Sequence, residues 1–274
     1  MDFFERLPSE LLHALLRQYL SQQDVLVLMR TGRRFYYLCR PYFYYDVSPS
    51  DELQLGLVAP HLHLTHHLNL RRYVGTVPEK CIHAISALPY LKTLAIGSSA
   101  VLSHTGLNIL LRKTHALRSL LLVGGQVSSE TFRLFLSMPN LVQVALPNTT
   151  FFGECGGSMF DYPSSLLPII SQSNHTLRRL DVSGCGWVDG QILAALGRFW
   201  HLQDLVVSWC ARIHLNSLRV FLTLANQLDH LDVSHVTCVD SRAQALMLWQ
   251  SAPRPQQLNF VYTEGAKTFC ISPS

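Results

Sequence analysis

No run of 18 apolar residues occurs in this 274-residue chain, so nothing in it reads as a membrane-spanning helix. Charge is also scarce. Only 15% of residues are charged, and 22 basic against 18 acidic side chains leave a net charge of +4. There is no dense basic stripe of the kind a nucleic-acid binder carries, and no nucleic-acid partner is expected. The seven cysteines are odd in number, scattered and without a C-x-x-C pair, which argues against a disulfide framework or a zinc ribbon. They are expected to be mostly reduced and buried. With 15 glycines and 13 prolines, collagen-like and low-complexity readings fall away. Nucleophile elbows, Walker loops and H-E-x-x-H helices are absent, and Gly124-Gly125 lacks the Gly-Lys-Ser/Thr of a phosphate cradle. No catalytic residue, cofactor or metal is expected.

What the chain has is leucine: 48 of 274 residues, within a hydrophobic share of 48% that excludes a disordered chain. This apolar surface must be hidden somewhere. The apolar segment Leu7–Leu20 is interrupted by Glu10, His13 and Arg17 and follows Asp2 and Glu5, a poor secretory signal. The expectation is a soluble intracellular protein, cytoplasmic with the nucleus also open to it. The sequences Asn148–Thr150 and Asn174–Thr176 are then not glycosylation sites.

A fixed period accounts for most of the leucine. The pattern L-x-x-L-x-L appears as Leu91-Leu94-Ile96, Leu117-Leu120-Leu122, Leu141-Val144-Leu146, Leu177-Leu180-Val182, Leu202-Leu205-Val207 and Leu228-Leu231-Val233. Its starts are separated by 26, 24, 36, 25 and 26 residues. Leu68-x-Leu70 and Leu258-x-Phe260 are degenerate copies at the two ends. The L-x-L core alternates as a half-buried strand does. Helical spacing follows it in Leu107/Leu110/Leu111, Phe132/Phe135/Leu136, Ile192/Leu196/Phe199 and Leu218/Leu222/Ala225. One strand and one helix in about 25 residues is the unit of a leucine-rich repeat, whose copies must stack to bury a shared core. Parallel strands then line a concave side and helices a convex side.

The array resembles the cysteine-containing class of leucine-rich repeats, in which a cysteine follows the strand motif. Cys185 and Cys210 take that place, while Ser99, Gly125, Thr149 and Val236 occupy it elsewhere. A buried structural role is the reading favoured for both cysteines. The 36-residue interval carries an insertion near residues 151–164. It is either a tolerated loop or a partner contact anchored by Phe151, Phe152, Phe160 and Tyr162.

Residues 1–47 do not share the repeat. Leu7, Leu11, Leu12, Leu15, Leu16, Tyr19 and Leu20 form a broad helical stripe, with Pro8 suited to the first turn. Ser21 and Asp24 mark a second helix start, with Val25, Leu26, Leu28 and Met29 as its apolar face. Gly32 punctuates it, and a third helical piece runs through Phe35 and Leu38 to Pro41. So small a module has a marginal core of its own and gains from docking on a partner.

The segment Leu7–Leu38 resembles an F-box: the opening Leu7-Pro8-x-Glu10-Leu11-Leu12, then Tyr19-Leu20-Ser21, Asp24-x-Leu26-x-Leu28 and Arg33-Arg34-Phe35. It departs from the family at Thr31 and Gly32. It also lacks the usual tryptophan after the third helix, with Phe43 or Tyr44 to take its place. The resemblance implies an α/β chain with a small all-α F-box at residues 1–47 and a linker or N-terminal cap at 48–64. Leucine-rich repeats would follow at 65–263 and a tail at 264–274 that covers the last core. It further implies that Leu7, Pro8, Leu11, Leu12, Leu15, Leu16, Leu20 and Leu28 divide between the module's core and a SKP-family adaptor. That adaptor would join the chain to a cullin–RING (SCF) ubiquitin ligase as a non-catalytic substrate receptor. A non-degradative scaffold or competitor is the alternative. The basic residues Arg30, Arg33, Arg34 and Arg40 are either a solvated face or a steering patch for an acidic adaptor.

Two further groups stand out. His61, His63, His66 and His67 are the best metal candidate; in a strand His61 and His63 would share a face, but no carboxylate or thiol lies nearby. A polar approach to the first repeat is the plainer reading. On the concave side, small and apolar residues of the early repeats give way to Arg179, Asp181, Asp204, Trp209, His230, Asp232 and His235. These are the candidate contacts to a protein substrate, with inter-repeat packing the alternative for Trp187 and Trp209.

Overall fold

The computed structural model describes residues 9–152, 166–168 and 176–272. Its N-terminal part is a set of three short helices, α1 (Ser9–Gln18), α2 (Gln22–Thr31) and α3 (Arg33–Phe43). The second start lies where the sequence marks it. The Asp24 N–H donates to Ser21 Oγ at 3.2 Å and the Ser21 N–H to Asp24 Oδ2 at 2.9 Å, a reciprocal cap. Leu12, Leu16, Val25, Met29, Phe35 and Cys39 form a small core distinct from the main one.

The chain then enters a ladder of strands. β1 (Asp46–Val47), β2 (His67–Leu70), β4 (Thr93–Ile96), β6 (Ser119–Leu122), β8 (Gln143–Ala145), β10 (Arg179–Asp181), β11 (Asp204–Val206), β12 (His230–Asp232) and β13 (Asn259–Glu264) pair in parallel in that order. The register puts one apolar residue of each strand in a single row: Val47, Leu68, Leu94, Leu120, Val144, Leu180, Leu205, Leu231 and Phe260. Every member of this row is buried. Because strand side chains alternate, the flanking residues must face away from the core. Short strands β3 (Gly75–Thr76) with β5 (Ala100–Val101), and β7 (Gln126–Ser128) with β9 (Thr150–Phe152), make two accessory parallel pairs after the main turns.

Helices return the chain to the start of the next strand: α4 (Glu52–Val58), α5 (Glu79–Ser86), α6 (His104–Lys113), α7 (Ser129–Ser137), α8 (Gly190–Leu196), α9 (Leu215–Leu224) and α10 (Arg242–Ser251). Their apolar stripes are buried at Leu107, Leu110 and Leu111, at Phe132, Phe135 and Leu136, at Ile192 and Leu196, and at Leu218 and Leu222. Strands lie about 4.8 Å apart and helices about 8–10 Å apart. The stack must therefore bend with its sheet inside. This is a leucine-rich-repeat-type solenoid, mixed α/β with one large parallel sheet.

Three local features go beyond the sequence reading and have physical causes. His61 and His63 lie in a 3-10 segment, Ala59–Leu64, and not in a strand; Pro60 at its first turn suits that start. Residues 48–64 are largely helical, and Leu55 and Leu62 cover the first end of the main core. Residues 267–271, set apart as tail, form β14 (Lys267–Ile271), antiparallel to β13 through a turn at Gly265 with φ +61°. The strand covers the last repeat as a paired edge. The insertion lies outside the described residues from 153 to 165.

Candidate functional site

The structure separates the F-box-like leucines. Leu12 and Leu16 point into the helical core, while Leu11 is 54% exposed and Leu15, Leu20 and Leu28 are half-buried. Leu7 and Pro8 lie outside the described residues. Val27 and Tyr37 add exposed apolar surface on α2 and α3. The ring of Tyr37 stands under the Arg33 guanidinium at 5.9 Å.

This module is fastened to the solenoid's first turn. Gln22 Nε2 donates to the carbonyls of Phe43 (3.2 Å) and Asp46 (3.0 Å), and Thr65 Oγ1 to that of Tyr44 (2.9 Å). Tyr44 packs against both cores. Arg40 Nη2 lies 2.9 Å from His61 Nδ1. Arginine keeps its protons, so Nδ1 must be the acceptor and His61 the neutral Nε2–H tautomer. Burial first, then Arg40 and His63, hold His61 below the usual histidine range. The other three histidines also have contacts, His63 through Nδ1 at 3.2 Å from the Pro60 carbonyl oxygen. His66 stacks between Tyr45 and Tyr90, with centroids at 4.5 and 5.6 Å, and His67 Nδ1 meets Thr93 Oγ1 at 2.6 Å. Among the described residues, no group of three or more His, Cys, Asp or Glu side chains could hold a metal ion.

The concave candidates fall on three adjacent strands. Arg179, Asp204 and His230 are register partners at the strand starts; Asp181, Val206 and Asp232 are partners at the ends. Arg179 Nε is 2.7 Å from Asp204 Oδ2 in a cross-strand ion pair. Asp181 Oδ1 accepts the Ser183 N–H at 2.9 Å, and Asp232 Oδ1 the Ser234 N–H at 2.8 Å. These bonds open the turn that follows each strand. Two residues beyond the last apolar strand position, the turn enters the left-handed region in five repeats: Gly124, Asn148, Gly184, Trp209 and His235, with φ from +57° to +70°. Glycine and asparagine accept that conformation readily; tryptophan and histidine occupy it here at a steric cost.

The outcome for the two tryptophans differs. Trp187 is buried, its Nε1–H donating to the Thr149 carbonyl at 3.1 Å and its ring edge-on to Phe132 at 5.2 Å. It is a packing residue. Trp209 is 63% exposed and stacks on His235, with centroids 4.0 Å apart and planes 18° from parallel. The sequence singled out both positions but not their pairing. The sign was their 26-residue spacing at a repeat position filled elsewhere by Gly124, Asn148 and Gly184.

Cys185 and Cys210 are buried. Their thiols donate to the carbonyls of Leu146 (3.0 Å) and Val182 (3.2 Å), the corresponding positions one repeat earlier. Burial raises both thiols, that of Cys210 to about 12, so neither supplies a thiolate at neutral pH. Of the insertion's aromatic anchors, Phe151 is half-buried near Trp187 and Phe152 stacks on His104 at 4.3 Å. Phe160 and Tyr162 lie outside the described residues.

No helix among the described residues is long and apolar enough to cross a membrane. Neither a family model nor a curated protein matches the chain. Among solved structures, a chain of the TLR13–ssRNA13 complex is similar over 71% of this chain and 30% of that one, with 18% identity and a TM-score of 0.44. Human 5T4 (Wnt-activated inhibitory factor 1, trophoblast glycoprotein) is similar over 74% of this chain and 70% of that one, with 17% identity and a TM-score of 0.47. The leucine-rich-repeat assignment rests on the chain's own strand register and period.

Proposed function

We propose that this protein is a substrate receptor of an SCF-type ubiquitin ligase. Its N-terminal helices act as the F-box, docking on a SKP-family adaptor and through it on a cullin–RING ligase. The solenoid captures a protein for ubiquitination and proteasomal degradation. The chain does no bond chemistry. It raises the local concentration of target lysines near a ubiquitin-loaded enzyme, an effect of linkage and orientation.

One observation carries the reading. The F-box-like helices own a core separate from the solenoid's and leave Leu11, Val27 and Tyr37 exposed, the state of a module built to meet another protein. Burying a leucine stabilises an interface by roughly 1.5–3 kcal/mol, so a few such side chains suffice.

The test is co-purification of the full chain with a SKP-family adaptor and cullin, followed by ubiquitin transfer to captured protein. Leu11→Asp should abolish adaptor binding without unfolding the solenoid. Failure of the wild-type chain to bind any such adaptor would sink the proposal. Adaptor binding without cullin recruitment or ubiquitin transfer would instead make the protein a scaffold or competitor.

A further inference from the structure

We infer that the strand-end edge of the last repeats binds a basic protein segment, with an arginine or lysine side chain laid on the free face of Trp209. The inference rests on the reading of the solenoid as a capture surface and is independent of the adaptor reading.

The sign of the charge is the first reason. Taken by themselves, Arg179 and the nearby histidines would favour an acidic ligand. In the fold, Arg179 is neutralised by Asp204 across a 2.7 Å ion pair. From β2 to β13, the charged residues at outward strand positions are that pair plus Asp181 and Asp232. Among those positions, Asp181 and Asp232 therefore carry the charge that no outward neighbour offsets. They flank Val206 in register, two strand spacings apart, or about 9–10 Å. Each is held through Oδ1 by a turn N–H. That leaves Oδ2 for a cationic guest. The cations Lys92, Arg118 and Arg178 precede their strands and so stand at the opposite, strand-start edge, while Arg212, beyond Trp209, bridges along the backbone to Asp189.

The aromatic pair is the second reason. Trp209 follows Val206 by three residues, and His235 follows Asp232 by three, so the stack borders the two carboxylates. The Trp209 backbone N–H donates to the Ser234 carbonyl at 3.0 Å, and the Ser234 backbone N–H is held by Asp232. The turn that carries the indole is thus tied through its backbone to the next repeat's turn, which carries the imidazole and the carboxylate. Stacking on His235 covers one indole face; at 63% exposure the other is open. An open indole face beside carboxylates attracts guanidinium and ammonium groups. The same carboxylates repel acidic peptides and phosphate backbones.

The test titrates the full chain with an eight-residue glycine–arginine peptide holding four arginines, with its glutamate counterpart, and with a single-stranded oligonucleotide. Calorimetry reads the affinity in every variant, and the indole N–H resonance of Trp209, identified by its loss in Trp209→Gly, reads where the peptide sits in the chains that keep it. The arginine peptide should bind and shift that resonance. Asp181→Asn with Asp232→Asn should weaken it at least ten-fold, since the carboxamide oxygen preserves the turn and only the charge is removed. Trp209→Gly should weaken it comparably, and glycine at φ +62° keeps the chain folded. No arginine-peptide binding, binding undiminished in either variant, or preference for the glutamate peptide or the oligonucleotide would overturn the proposal. No adaptor enters this assay, so its failure is distinguishable from failure of the ligase reading.

Discussion

Arg40 and His61 tie the N-terminal helices to the solenoid: the Nη2 of one donates to the Nδ1 of the other at 2.9 Å. The bond exists only while His61 is neutral. Burial and the neighbouring Arg40 and His63 keep its proton affinity below the ordinary 6.5, with the Tyr44 ring tilted against it at 4.5 Å. Because the folded value is the lower one, the unfolded chain takes up this proton first. Stability from this site is complete above about pH 6.5 and declines as pH falls toward the folded value. Melting temperature measured from pH 7.5 to 5.5 should therefore fall more steeply in the wild type than in His61→Gln, which keeps an acceptor but does not titrate. Parallel slopes would remove the His61 contribution.

The buried row supplies a second prediction. Leu205 sits in that row at 0% exposure, while its neighbour Val206 faces out. Leu205→Ala should cost about 2–5 kcal/mol, the range for a core leucine whose cavity does not collapse. Val206→Ala should cost under about 1 kcal/mol, as surface changes do. Urea unfolding midpoints decide it; equal losses would mean the alternation has been assigned to the wrong face.

The same row shows why most of the fold was legible. A residue that must be buried once per repeat leaves a mark at a fixed interval, and that mark runs from Leu68 to Phe260. Other parts wrote weaker marks. The outer strand β14 is mostly exposed, so no alternation announces it. His61-x-His63 alternates as a strand would, yet over so few residues a 3-10 turn gives nearly the same pattern. The stripe Leu11, Leu12, Leu15, Leu16 is broad, and only its packing on α2 and α3 decides that Leu12 and Leu16 turn inward. That Arg179 is neutralised was not legible, because its partner Asp204 lies 25 positions away and only strand register brings the two together.

Thiol chemistry offers a third check. Cys270 is exposed on β14, whereas Cys185 and Cys210 are buried with raised thiols. Iodoacetamide at pH 7.5 should alkylate Cys270 within the native protein and leave Cys210 unmodified until denaturant is added. Peptide mass spectrometry reads the order. Native labelling of Cys210 at the rate of Cys270 would refute its structural role.

The left-handed turn residues lead to the last prediction, and they set two opposite substitutions against each other. Gly184 has φ +68°, and a Cβ there would run into Asn148 Oδ1. Gly184→Ala should destabilise by at least about 1–2 kcal/mol, the cost of forcing an L-residue into this region. Trp209→Gly removes that strain but loses the His235 stack, worth about 0.5–1.5 kcal/mol for an aromatic pair. It also frees the unfolded chain, at a cost of about 0.4–1 kcal/mol. The terms nearly cancel, so Trp209→Gly should leave stability within about 1 kcal/mol of wild type. A protein gains almost nothing in stability from tryptophan at that position, which is why its open face is better understood through what it touches. Thermal unfolding of the two variants separates the cases. A loss at Trp209→Gly as large as that at Gly184→Ala would make Trp209 a structural residue after all.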